Sequence, residues 1–305
     1  MHTNNIYKIL VKPIIYMIMS TKFIANSFIF IFAIIFINAK CICQNNSKSY
    51  ANKIFSMTTI VRVYSGSKIG QATAFYYQSP QNDVYLVSNR HVFYPGEKYP
   101  DSIIFNLRKA DTINKRDRWH PIKLEIKFLQ LNLKLHTNNK IDVASININE
   151  HVLKPKSPLF YQIIPVTQPD TATLNLENFE IGDDILVLGY PKGYYDEFNL
   201  IPIMKAGIIS SFYRTNFNNL PCFLIDNGLF HGSSGSIVIS KFKPLIISNQ
   251  EPLFSLEKSF TFLGIFSGAP YILGPQVETD DAITIKKEYL DLGKVWYPWV
   301  LNELR

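Results

Sequence analysis

The sequence predicts an all-β protein, either a barrel or a sandwich, and three observations support this fold class. Short runs of β-branched and aromatic residues recur along most of the chain. Clusters of Gly, Pro, Asn and Asp separate these runs, as is typical of turns between strands. Between the runs, no segment of comparable length shows the period of about 3.6 residues that marks an amphipathic helix. This pattern argues against alternating strands and helices.

The predicted strands follow one another through both halves of the chain. They are Ile60–Tyr64, Ala72–Tyr77, Val84–Val87, Ser102–Phe105, Ile122–Phe128, Val143–Ile148, Ile185–Leu188, Ile203–Met204, Gly207–Ile209, Phe223–Ile225, Ser236–Ile239 and Phe262–Phe266. A polar connector, Pro165–Thr173, divides the chain into two β-rich units of similar size. The terminal segment Trp296–Arg305 predicts a short helix, because proline is well tolerated in a first helical turn and Pro298 stands there.

Composition indicates a globular protein and gives little support for a nucleic-acid partner. The chain has 305 residues, of which 47% are hydrophobic and 18% are charged, so it can bury one large core or two smaller ones. The net charge is +7, but four of the surplus lysines lie within residues 1–43, which contain no acidic residue and no arginine. Because the remainder is only mildly basic, no nucleic-acid partner is expected.

The N-terminal segment resembles a targeting sequence. Phe28–Ile37 is an unbroken apolar run that follows Lys22 and precedes a polar stretch. Such a run is short for a membrane span, which needs about 20 residues, but suits the core of a secretory signal. We therefore expect residues 1–43 to be a signal peptide and the product to be secreted or periplasmic. The alternative is a retained N-terminal anchor with the domain facing outside, and only then is membrane contact expected.

Cysteine usage excludes a disulfide framework once the signal is removed. Cleavage after Cys43 leaves Cys222 alone, so no internal disulfide can form. Cys222 lies in the apolar run Pro221–Ile225, where a buried structural cysteine is the expected interpretation.

Three polar residues stand at the edges of predicted strands in the order His91, Asp142 and Ser234. Ser234 lies between glycines in Gly232–Gly235, which places its hydroxyl on a sharp turn. Each residue taken alone has an ordinary interpretation as a loop histidine, a turn aspartate or a chance glycine-serine turn. The order matches one in which a base, its orienting carboxylate and a nucleophile are known to assemble. If the three side chains meet in space, the protein is a serine hydrolase.

These segments resemble those of the trypsin-like serine peptidases, especially the disulfide-free HtrA-like branch, here without a PDZ domain. The resemblance covers roughly residues 53–305. It includes seven segments in order, namely Leu86–His91, Asp142–Ile148, Ile181–Pro191, Lys205–Ser210, Gly232–Gly235, Phe262–Gly268 and Leu292–Trp296. The resemblance implies two perpendicular six-stranded β-barrels with a short C-terminal helix. Residues 44–165 would form the barrel with the histidine and the aspartate, and residues 166–305 the barrel with the serine.

The resemblance also implies a role for each site residue. Ser234 would be the nucleophile, His91 its base, and Asp142 the group that orients the imidazole. The backbone N–H groups of Gly232 and Ser234 would form the oxyanion hole. The substrate pocket would be formed by Gly228, Leu229, Ser267, Gly268 and Gly293.

Several expectations follow about ligands and partners. Because no charge stands at Gly228, we expect a small or medium apolar side chain at the cleaved bond and a protein or peptide substrate. No cofactor and no metal site are expected, since no His/Cys/Asp grouping has zinc spacing. A monomer is expected.

Two departures from the family pattern support a second interpretation. Ser236 and Ile237 stand where the family usually has glycine and proline, and the Cβ of Ser236 is expected to crowd the turn. The alternative is therefore a catalytically silent domain that binds peptides in the cleft between the barrels. Ser233, which precedes the nucleophile, is not an acid, so activation by a newly formed N-terminal amine is not expected.

Overall fold

The structure, a computed structural model, describes residues 54–110, 119–127, 132–152, 166–167, 179–228, 232–241, 243–247, 253–279 and 282–304. The N-terminal signal or anchor predicted at residues 1–43 lies outside these ranges. Within them, no helix combines the length and the apolar character that crossing a bilayer requires.

The first half of the described chain forms one antiparallel, curled sheet of seven strands. The strands are β1 (Thr58–Ser65), β2 (Lys68–Gln78), β3 (Val84–Ser88), β4 (Ser102–Ala110), β5 (Trp119–Lys127), β6 (Leu133–Leu135) and β7 (Ala144–Asn147). Their order across the sheet is β5-β4-β1-β2-β3-β7-β6. Four of the six pairings join strands that follow one another in the chain.

Strand β2 has two faces with different partners. Ala72, Ala74 and Tyr76 alternate along it and belong to the buried apolar core of the sheet. Because alternate residues of a strand point to opposite faces, Thr73 and Phe75 point away from that core. The ring of Phe75 lies 5.7 Å from the ring of Phe262, which belongs to the second half of the chain.

The second half forms a closed barrel and two separate hairpins. The strands are β8 (Asp184–Gly189), β9 (Ile203–Ile209), β10 (Cys222–Asp226), β11 (Ile237–Ser240), β12 (Lys243–Ile247), β13 (Leu253–Ser259), β14 (Phe262–Gly268), β15 (Tyr271–Thr279), β16 (Ala282–Tyr289) and β17 (Leu292–Trp296). Six of them close the barrel in the order β10-β17-β14-β11-β8-β9. The other four pair as β12 with β13 and β15 with β16.

Aromatic rings fill part of the barrel interior. The centroid of Tyr213 lies 5.0 Å from that of Phe223 and 5.4 Å from that of Tyr297, both in edge-to-face geometry. Such pairs add about 0.5–1.5 kcal/mol each beyond the apolar area that they bury. This cluster makes the barrel a rigid support for the turns that leave its strands.

The predicted all-β class and two-barrel plan are confirmed. The first half takes the form of a seven-stranded curled sheet, and the second is a closed six-stranded barrel. Ile203–Met204 and Gly207–Ile209, predicted as separate runs, are one strand, β9. The predicted terminal helix is a 3-10 helix, Pro298–Leu304, that starts at the proline. It reaches the first sheet, since Ser145 Oγ donates to the carbonyl of Leu304 at 3.0 Å.

Cys222 is buried in the barrel, as its apolar surroundings predicted. Burial raises the pKa of its thiol to about 11, above the ordinary value of 9.0. A thiol with a raised pKa stays protonated at neutral pH and is a poor nucleophile. The structure therefore gives this cysteine a packing role.

The free energy of unfolding is expected to fall above pH 9.0, in part because of Cys222. The folded state favours the neutral thiol, so this contribution is complete below pH 9.0 and is lost as the pH rises to about 11. Urea unfolding across this interval measures the effect. Cys222→Ala is expected to show a shallower decline, and the decline that remains includes the contribution of Tyr297, whose pKa burial also raises. Identical pH slopes for the two proteins would contradict the assignment.

Candidate active site

His91 is presented to solvent by a helical turn, Arg90–Phe93, that directly follows β3. The carbonyl of Asn89 accepts the N–H groups of Val92 and Phe93 at 3.1 and 3.2 Å. Val92 and Phe93 are buried in the core of the sheet and anchor the turn. The imidazole of His91 remains 52% exposed. An apolar strand that ends in a short turn thus places a histidine at the surface with a fixed backbone.

Asp142 lies just before β7, between the buried residues Ile141 and Val143. Its Oδ1 accepts the backbone N–H of His91 at 2.9 Å, and its Oδ2 lies 2.7 Å from His91 Nδ1. The Nδ2 of Asn89 donates to the Asp142 carbonyl at 2.7 Å. Two hydrogen bonds therefore fix the carboxylate relative to His91, and the third fixes the backbone of Asp142.

Ser234 stands on a tight turn before β11. Gly232 and Gly235 adopt φ angles of +87° and +82°, in the region that glycine tolerates best. The turn is closed by the N–H of Ser236, which donates to the carbonyl of Ser233 at 3.0 Å. The Ser234 Oγ lies 3.1 Å from His91 Nε2.

The structure thus brings together the three residues that the sequence singled out. Because Nδ1 of His91 faces a carboxylate, the ring proton belongs on Nδ1, and Nε2 is free to accept the Ser234 hydroxyl proton. The arrangement can transfer a proton from an alcohol to an imidazole while a carboxylate stabilises the resulting cation.

Ser267, which was assigned to the substrate pocket by resemblance, also contacts this group. Its hydroxyl donates to Asp142 Oδ2 at 2.6 Å. The carboxylate thus accepts from a second side chain besides His91. Hydrogen bonds to a charged group contribute about 1.5–3 kcal/mol, so this contact helps to hold Asp142 in place.

The other predicted pocket residues lie at one end of the barrel. Gly228 follows β10, and its carbonyl accepts the ammonium of Lys205 at 2.6 Å. Gly293 on β17 packs closely, since a Cβ there would lie 2.6 Å from the ring of Phe266. Gly268 ends β14, and no atom of the described residues lies within 4 Å of its ideal Cβ position. Leu229 lies outside the described residues.

Gly232 packs against a neighbouring turn. A Cβ at this position would lie 2.7 Å from the backbone nitrogen of Lys192 and 3.0 Å from the carbonyl oxygen of Tyr190. Only glycine fits this close approach of two backbones. The segment that carries the predicted oxyanion N–H groups is therefore backed by residues 190–193.

The structure accommodates the two departures from the family pattern. Ser236 is buried, and its hydroxyl donates to Thr73 Oγ1 at 3.3 Å. Ile237 opens β11, where it pairs with Leu188 and Ile265 on either side. Both residues therefore have defined places in the barrel wall.

Three buried polar residues next to the site were not predicted from the sequence. Thr73, Ser88 and Asn89 are buried polar residues within or next to apolar strands. A polar residue in such a run is the one signal that singles them out, because buried polar groups need partners. In the part of the chain that the structure describes, no group of three or more His, Cys, Asp or Glu side chains forms a metal site.

Gly235→Ala is expected to destabilise the protein by about 3 kcal/mol or more, a value typical of strain combined with a backbone clash. The new Cβ would overlap the Thr73 carbonyl oxygen and the Ser88 hydroxyl at a φ of +82°. Gly182→Ala is the matched control, because Gly182 has a φ of +93° but no atom of the described residues within 4 Å of its ideal Cβ. This substitution should lower the free energy of unfolding by only about 1 kcal/mol. Urea denaturation measures both, and equal losses would contradict the packing argument.

Comparison with known proteins identifies the family. Residues 72–243, more than half of the chain, match the family model of the trypsin-like peptidase domain. No curated protein matches the sequence.

Solved structures with a similar fold include active and inactivated peptidases. The HtrA-type protease AlgW with a tripeptide is 15% identical at a TM-score of 0.45, covering 83% of this chain and 61% of its own. The active form of the Rv3671c protease from M. tuberculosis is 16% identical at 0.44, covering 85% and 83%. The inactivated scabies mite protease paralogue is 14% identical at 0.42, covering 79% and 91%. By its match over residues 72–243, the chain belongs to the trypsin-like peptidase domain family.

Proposed function

We propose that the protein is a serine endopeptidase that uses Ser234, His91 and Asp142. The observation that carries this proposal is the continuous line of contacts from Asp142 Oδ2 to His91 Nδ1 at 2.7 Å and from His91 Nε2 to Ser234 Oγ at 3.1 Å. Both distances lie within the range in which a general base can act on a nucleophile.

In the acylation step, the Ser234 oxygen attacks the carbonyl carbon of the substrate peptide bond. The hydroxyl proton moves to His91 Nε2 as the new C–O bond forms. Asp142 stabilises the resulting imidazolium through its contact with Nδ1. Ser267 holds the carboxylate from a second direction, so Asp142 need not reorganise during the step.

The tetrahedral intermediate then collapses. Its oxyanion would be bound by the N–H groups of Gly232 and Ser234, and each such donor contributes about 2.7–4 kcal/mol in related chemistry. The C–N bond breaks, His91 returns its proton to the leaving amine, and the acyl group remains on Ser234. Water, activated by His91, hydrolyses this ester and regenerates the serine.

The residues near Gly228 favour a neutral side chain at the cleaved bond. Position 228 is a glycine and carries no acidic side chain. The ammonium of Lys205 donates a hydrogen bond to the Gly228 carbonyl. A cation at this position disfavours arginine and lysine in the substrate. We therefore retain the proposal of a small or medium apolar residue, in a protein or peptide substrate.

The proposal includes secretion, or export to the periplasm, as an HtrA-like protease. It rests on the apolar run Phe28–Ile37 and on the segments that resemble this branch. N-terminal sequencing of the exported product tests it, since a start near residue 44 is expected and an intact apolar run would indicate an anchor.

A fluorophosphonate probe is expected to label the folded protein at Ser234. The serine oxygen displaces fluoride from phosphorus, and His91 accepts the proton that the serine loses. Ser234→Ala should abolish labelling, and Asp142→Asn should slow it by about 10³–10⁴-fold through loss of the correct imidazole tautomer. Intact-mass and peptide-mass spectrometry identify the labelled residue.

The matched control is Ser233→Ala, which removes the adjacent hydroxyl. Among the residues that the structure describes, the buried Ser233 hydroxyl has no hydrogen-bond partner, so its loss should leave labelling unchanged. A folded wild-type protein that does not react with the probe would overturn the proposal. Peptide binding without labelling would support the alternative, a catalytically silent domain.

A further inference from the structure

A buried hydroxyl outside the group of three residues connects the first sheet to the nucleophile turn. Thr73 lies on β2, is 0% exposed, and points away from the core of its own sheet. Its neighbours Ala72 and Ala74 belong to that core. The backbone of Thr73 therefore belongs to the first sheet, whereas its side chain lies against the second half of the chain.

The Thr73 hydroxyl uses its full hydrogen-bonding capacity on the second half. It donates to the carbonyl of Gly232 at 3.2 Å. It accepts the backbone N–H of Tyr190 at 2.9 Å and the hydroxyl of Ser236 at 3.3 Å. A hydroxyl offers one proton and two lone pairs, so these three contacts saturate it and fix its orientation.

The backbone of Thr73 adds two more contacts with the site. Its N–H donates to the carbonyl of Ser234 at 3.0 Å. Its carbonyl accepts the Ser88 hydroxyl at 2.7 Å, and Ser88 precedes the turn that carries His91. Thr73 therefore contacts the nucleophile, Gly232 and the segment that leads to the base.

The Thr73 hydroxyl also fixes both sides of the close contact around Gly232. One side is Gly232 itself, through its carbonyl. The other is the turn at residues 190–193, through the N–H of Tyr190. Gly189 leaves the necessary space, because a Cβ there would overlap the Ser236 hydroxyl and lie 2.7 Å from Thr73 Oγ1.

We propose that Thr73, supported by Ser236, is a positioning residue for the oxyanion-binding segment. Its hydroxyl holds the Gly232 carbonyl, and thereby keeps the peptide groups of residues 232–234 oriented so that their N–H donors face the reacting carbonyl. The inference rests on the proposed function and deepens it. It also gives Ser236, which departs from the family pattern, a defined partner.

The test is Thr73→Val, which removes the hydroxyl and keeps the shape. Reaction with the fluorophosphonate is followed at several probe concentrations, so that the limiting rate and the half-saturating concentration are measured separately. The limiting rate is expected to fall by about ten- to a hundredfold, because oxyanion donors that are out of position lose most of their effect. The half-saturating concentration should change little, since Thr73 does not touch the probe. Thr73→Ser should restore the rate to within about threefold of wild type.

Thr59→Val is the matched control. Thr59 is also a buried threonine of the first sheet, and its hydroxyl donates to the Asn106 carbonyl and accepts the Asn106 N–H, both at 3.1 Å. Its loss should lower the melting temperature without changing the limiting rate. If Thr73→Val does not fold, Ser236→Ala replaces it, with an expected fall of about two- to fivefold.

The outcomes separate this inference from the proposed function. A folded Thr73→Val protein that reacts at the wild-type rate overturns the inference alone. So does a Thr73→Ser protein as slow as Thr73→Val, or an equal slowing by Thr59→Val. In the replacement experiment, a Ser236→Ala protein that reacts at the wild-type rate overturns it as well. A wild-type protein that does not react overturns the proposed function, and the inference with it.

Discussion

The contact of 3.1 Å between His91 Nε2 and Ser234 Oγ joins the two halves of the candidate active site. The two residues are 143 positions apart, and each is carried by a different sheet. A distance of this kind is set by backbone placement, because Asp142 holds both the backbone N–H and the ring of His91, and the glycine turn fixes the position of Ser234. The buried turn under His91 and the glycine turn around Ser234 provide that placement. Thr73 then connects the two through its backbone contacts with Ser234 and Ser88.

Much of the fold could be predicted because most strands bury at least one face. Runs such as Val84–Val87 are apolar throughout, so their pattern is clear in the sequence. The hairpin of β15 and β16 could not be found this way. Tyr271 and Leu273 on β15 are exposed, Leu273 by 65%, and an exposed strand shows no contrast between an apolar and a polar face. The gap predicted within β9 has a related cause, since Lys205 interrupts an otherwise apolar run.

The site was predictable to the extent that its chemistry depends on residue type. Histidine, aspartate and serine are among the few kinds of side chain suited to act as a base, an orienting group and a nucleophile, and the order of His91, Asp142 and Ser234 along the chain adds further information. Thr73 and Ser267 carry no such signature. Their contacts span 159 positions to Gly232 and 125 positions to Asp142, so only the folded chain reveals them. What makes such a residue important is its position in the folded chain. A sequence pattern does not show this, because many side chains of similar size would fit the same pattern.

The coupling between His91 and Ser234 is measured most directly by a double-mutant comparison of peptide hydrolysis. His91→Ala, Ser234→Ala and the double variant are measured against wild type under the same conditions. Residues that act as one unit show strongly non-additive losses. If His91 and Ser234 act as one unit, the double variant is no slower than either single variant, within about twofold. Losses that multiply, or a His91→Ala protein with wild-type activity, would contradict it.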